Sequence, residues 1–147
     1  MKKIDPHRTL AVDLFNYTWS LLDRKKRSRE EDDAMLHAAH ASRFHWGKVG
    51  KPVNLARGEW QVSRVYAVLR RAEPALHHAK RCLDLCRKHK LGDFDLAYAY
   101  EALARASAVD GPRKDVDRYL KLARKAPIAK KEDREFFEKD LATVEKS

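Results

Sequence analysis

Glycine and proline are scarce in this chain, five of each in 147 residues, and cysteine is scarcer still at two. So little glycine leaves no glycine-rich loop to cradle a phosphate, and so few breakers imply a handful of long elements rather than many short turns. Two cysteines cannot make a disulfide-stapled scaffold, and Cys82 and Cys86, one helical turn apart, would be strained as a bridge. No uncharged apolar stretch approaches the ~18 residues that a membrane span requires. The opening MKKIDPHRTLAVDLF meets Asp5, Pro6 and Asp13 before an apolar run can develop, so it does not read as a signal peptide. The expectation is a cytoplasmic protein with no membrane partner, and nothing in the sequence calls for a cofactor.

Charge, by contrast, is plentiful. Lys and Arg number 32 against 22 Asp and Glu, a net charge of +10, and 37% of residues are charged beside 44% hydrophobic. That balance suits one helix-rich domain spanning 1–147, long enough to bury about two thirds of its unfolded surface. A surface of this sign attracts polyanions. Basic residues crowd the middle of the chain, where Arg70, Arg71, Lys80, Arg81, Arg87 and Lys88 are candidates for nucleic-acid phosphates. Lys and Arg are also good formers of solvated helix faces, which accounts for the same residues without a partner.

Punctuation divides the chain into seven helices and no strand. Asp5 and Pro6 open the first, with Leu10, Leu14, Tyr17 and Leu21 recurring at helical spacing. Ser28 and Glu31 have capping-box spacing for the second, which is expected to stop at Gly47. Asn54 is expected to cap a third helix reaching about Ala72, and Pro74 to start a fourth that runs to Lys90. Gly92 then serves as a stop and Asp93 as the next N-cap. Asp110-Gly111-Pro112 makes a turn, the sixth helix ends before Pro127, and Lys131 to Glu145 form the seventh.

Part of this pattern repeats. AKRCLDLCRK (79–88) aligns with VDRYLKLARK (116–125) at an offset of 37, pairing Arg81 with Arg118, Leu83 with Leu120 and Leu85 with Leu122. The same offset pairs Tyr66-Ala67 with Leu103-Ala104. Helix pairs that place small residues at their contacts are what a helical solenoid needs. Tyr66, Ala67, Ala79, Leu83 and Cys86 in one copy, and Leu103, Ala104, Gly111, Val116, Leu120, Ala123 and Pro127 in the other, resemble the tetratricopeptide repeat over about 57–128. The first copy lacks the turn glycine and closing proline, and Arg70 and Ser107 stand where the family has an aromatic. HAAHASRFHWG and ARGEWQVSRVYAVL also resemble a family of small bacterial proteins without an assigned activity. The resemblance implies an all-α, antiparallel superhelix of the right-handed solenoid type: an N-terminal helix pair and connector (5–53), two repeat-like pairs (54–128) and a C-terminal capping helix (129–147). It further implies a non-enzymatic interaction module, with Gln61, Arg64, Val68, Arg71, Tyr98, Glu101 and Arg105 lining a groove. Arginines flanking an aromatic suit an acidic peptide or protein, since guanidinium binds carboxylate bidentately. Trp46 and Trp60 could instead anchor a homodimer.

The histidines offer less. His37 and His40 share one side of the second helix, but His45 points elsewhere, and a zinc ion needs three or four ligands. His78 and Cys82 could share an ion only as a pair, and Cys86 already has a packing role in the repeat. Imidazoles hydrogen-bonded to neighbouring helices explain His37 and His40 more simply. Arg71 followed by His77 and His78 resembles the arginine-histidine pair of some all-helical ribonucleases, but Pro74 falls between them.

Overall fold

The computed structural model describes residues 3–146. It consists of α1 (Pro6–Leu22), α2 (Arg29–Val49), α3 (Pro52–Val68), α4 (Ala72–Lys88), α5 (Asp93–Asp110), α6 (Arg113–Lys125) and α7 (Lys131–Glu145), with no strand among the described residues. Connectors of two to six residues turn each helix back antiparallel to its predecessor. The odd-numbered helices form an inner layer in which α1 neighbours α3, α3 packs on α5, and α5 packs on α7. The even-numbered helices lie outside, each against the helices before and after it in sequence, except that α6 packs chiefly on α5.

Helix α5 is central, and its composition explains how. Ala97, Ala99, Ala102, Ala104 and Ala106 are all buried, so small side chains let neighbours approach on several sides. Larger residues from those neighbours fill the space: Leu83 and Cys86 from α4, Val116 and Leu120 from α6, Phe137 and Leu141 from α7. Repeat-equivalent positions are buried alike. Ala67 and Ala104, Ala79 and Val116, Leu83 and Leu120, and Cys86 and Ala123 all lie in the core. The fold is therefore all-α, with consecutive helices packed in a helical-repeat arrangement.

Several boundaries differ from the sequence expectation. Helix α2 runs through Gly47 to Val49 and stops at Gly50, whose N–H donates to the Trp46 carbonyl at 2.6 Å. A Cβ on Gly50 would stand 2.7 Å from that oxygen, so glycine is required there. Pro52 is the first residue of α3, and Asn54 works from inside the helix, its Oδ1 accepting from the Lys51 N–H at 3.0 Å. Helix α3 ends at Val68 because Arg70 turns left-handed (φ 63°), bringing the Arg71 N–H to the Tyr66 carbonyl at 2.9 Å. Pro74 then falls inside the first turn of α4, where no N–H is needed. Gly92, not Asp93, caps α5; Asp93 is left-handed (φ 55°) and its Oδ1 accepts from the Ala129 N–H at 2.7 Å, tethering the α6–α7 connector.

Candidate functional site

The inner layer surrounds a cleft of about 570 Å³ walled by α1, α3, α5 and α7. Helical periodicity puts its aromatics there. Three inner helices contribute one ring each to a continuous ladder, Trp19 to Trp60 at 5.4 Å between centroids and Trp60 to Tyr98 at 5.6 Å, and Tyr98 in turn packs at 4.8 Å on the fully buried Phe137 of α7, which backs the cleft without lining it. Phe15, Phe94 and Phe136 add apolar surface, and Phe136 is 67% exposed. An open apolar cleft with a few polar groups is the usual form of a ligand site.

A buried carboxylate underpins the ladder. Glu101 is fully buried on α5; its Oε1 accepts from Arg105 Nε at 2.7 Å and from an Arg64 guanidinium N–H at 3.3 Å, and its Oε2 accepts from Trp60 Nε1 at 3.3 Å. Burial opposes its ionisation most strongly, but Arg64 and Arg105 together outweigh that and keep its proton affinity below the usual carboxylate range. The Arg64 guanidinium also covers the Trp60 ring at 5.3 Å. Tyr98 donates to Asp140 at 2.6 Å, and burial first, then this hydrogen bond, pushes the phenol pKa up and keeps its proton in place.

Of the residues expected to line a groove, the structure brings Arg64, Tyr98, Glu101 and Arg105 together, but only Arg64 and Tyr98 line the cleft. Glu101 and Arg105 support it from behind, with Arg105 also reaching the Asp140 carbonyl and Thr143 Oγ1. Gln61 is fully buried, its Nε2 donating to the Phe15 carbonyl at 3.0 Å. Val68 and Arg71 lie outside the cleft; Arg71 stacks on Tyr66 at 5.2 Å. The sequence reading passed over Phe15, Trp19, Phe94, Phe136 and Asp140. One signal was present: Trp60, Tyr98 and Phe137 recur at intervals of 38 and 39, close to the repeat offset of 37.

A second polar cluster joins α2, α3 and α4. Glu59 is buried and accepts from Arg43 Nε at 2.9 Å, His78 Nδ1 at 2.9 Å and Arg81 Nε at 2.7 Å. Gly58 makes room for it, since a Cβ there would stand 2.8 Å from Arg43 Cδ. Burial works against the Glu59 charge, but the His78 and Arg81 hydrogen bonds and the Arg81 and Arg43 charges hold its pKa down at about 2. His78 stacks on Tyr66 at 5.7 Å, and His40 pairs with the Tyr66 hydroxyl at 2.8 Å. His40 is held below the usual imidazole pKa by burial first and then by His78. His40 and His78 meet edge-on at 5.4 Å between ring centroids, but no group of three His, Cys, Asp or Glu among the described residues could hold a metal. His77 stands edge-on to His78 at 5.0 Å, while Arg71 is turned to Tyr66. Cys82 and Cys86 are free thiols; hydrogen bonding to Cys86, then burial, raises the Cys82 pKa.

No family model, curated protein or solved structure matches the chain.

Proposed function

We propose that the protein is a non-enzymatic, tetratricopeptide-like interaction module that takes a protein or peptide segment into the cleft of its inner layer. The observation that carries this reading is the row of rings from α1, α3 and α5, Trp19, Trp60 and Tyr98, which line the cleft beside an exposed Phe136 on α7. Exposed aromatics in a concave, well-supported setting are the usual anchors of protein recognition. The supporting polar groups are saturated by one another, so they rigidify the cleft rather than carry out proton transfer. Arg64 and Arg105, expected to attract an acidic partner, share the buried Glu101 carboxylate, which engages both guanidinium groups and offsets half of their charge.

A second reading has its own observation. Arg70, Arg71, Lys80, Arg87 and Lys88 are exposed and form no ion pair among the described residues, which favours a nucleic-acid phosphate backbone on the outer side. The test is a photo-crosslinker, p-benzoylphenylalanine, placed at position 136 in the cleft or position 87 outside it, irradiated in native lysate. Protein adducts at 136 that resist nuclease support the cleft. Adducts confined to 87 that vanish with nuclease and weaken steeply with salt support the outer surface instead, and no adduct at 136 removes the cleft reading.

A further inference from the structure

The cleft is locally acidic in a protein whose net charge is +10. Its lining holds Asp23, Asp95, Asp133 and Asp140 against Arg57 and Arg64 only. Both arginines are already answered. Arg57 makes two hydrogen bonds to Asp95, at 2.9 and 3.2 Å, and Arg64 is paired to Glu101. Asp140 has one neutral donor, the Tyr98 hydroxyl, while the carboxylates of Asp23 and Asp133 have no side-chain partner among the described residues.

These carboxylates alternate with rings along both walls. On α1, Phe15 and Trp19 lie two turns and one turn before Asp23, the helix's C-cap; on α7, Asp133, Phe136 and Asp140 follow one another at i, i+3 and i+7. Residues so spaced share one helix face. A long basic side chain matches such a stripe, its methylenes lying on the ring and its cationic head meeting the carboxylate. Two stripes on the first and last inner helices offer two such positions at once. That suits a chain segment carrying two basic residues rather than a single small ammonium ion. The overall field of the protein repels such a segment, so only local complementarity in the cleft can hold it.

We infer that the cleft binds a basic, apolar peptide segment, with Asp23 and Asp133 receiving its lysine or arginine heads and Trp19 and Phe136 receiving their stems. This rests on the cleft being the binding site, and the experiment separates the two. Hexapeptide mixtures with lysine, norleucine or glutamate fixed at two positions are titrated into the full chain, with tryptophan emission as readout, since Trp19 and Trp60 line the cleft. Lysine mixtures are expected to bind tightest, and Asp23→Asn/Asp133→Asn, both half-exposed or exposed positions, to weaken them about tenfold while leaving norleucine binding unchanged. Tighter binding of glutamate mixtures, or lysine binding indifferent to the two substitutions, overturns the basic partner while the cleft stands. Binding that persists unchanged in Phe136→Arg, or no emission change with any mixture, overturns the cleft itself and this inference with it.

Discussion

Replacing Glu59 by glutamine removes a charge at almost constant volume, and its consequence follows from the three donors around that carboxylate. Ordinary glutamate titrates near 4.5; in the folded chain His78, Arg81 and Arg43 bring Glu59 down to about 2. Because each tenfold change in proton affinity corresponds to about 1.4 kcal/mol, this difference is equivalent to about 3 kcal/mol of folding stability. Arg81 is half exposed, so solvent screening trims the figure to about 2 kcal/mol. The folded pKa lies below the unfolded one, so the contribution is complete above about pH 5 and drains away as pH falls toward 2. Urea unfolding followed by far-UV circular dichroism should show Glu59→Gln about 2 kcal/mol less stable than wild type at neutral pH, with the gap more than halved by about pH 3. A gap that does not change with pH, or one under about 0.5 kcal/mol at neutral pH, would refute the claim that this carboxylate is a structural anion rather than a passive buried group.

Two glycines in helices should respond with opposite sign. Gly47→Ala is expected to stabilise by about 0.5–1 kcal/mol, since its Cβ meets only the flexible end of Arg43, whereas Gly58→Ala should destabilise by about 1 kcal/mol because its Cβ collides with the Arg43 stem; melting temperatures decide both. Lys90, just past the His89 C-cap of α4, is left-handed (φ 53°), so Lys90→Gly should raise stability by about 0.5–1 kcal/mol, and an unchanged or lowered midpoint in urea would contradict the strain assigned to it. Gln61 Oε1 is buried without a hydrogen-bond partner among the described residues, so Gln61→Met should cost less than about 1 kcal/mol in spite of losing the bond to Phe15; a loss above about 2 kcal/mol would mean that the amide oxygen is satisfied in solution.

Much of the architecture was legible in the residues alone, because helix patterning and capping act over a few positions. Seven helices, the capping box at Ser28 and Glu31 and the equivalence of Leu83 with Leu120 all follow from local periodicity, and the structure shows each of them. Exact ends were less legible. Arg70 and Asp93 adopt left-handed backbone without being glycine, at positions held by contacts that spacing does not reveal. The candidate site was the least legible part. Arg64, Tyr98, Glu101 and Arg105 could be placed on neighbouring helix faces from the repeat, but whether a charge on such a face is free or cancelled depends on which helix packs against it. Tertiary packing buried Glu101 between Arg64 and Arg105, so that a single carboxylate accepts from both guanidinium groups and offsets half of their charge. It also assembled a wall from Trp19 and Phe136, which are 117 positions apart and share no sequence pattern. Local physics thus determined where the helices run and which faces they bury. Only long-range packing, which sets the distance between charges and so decides which ones cancel, determined that a strongly basic chain encloses an aromatic, acidic cleft.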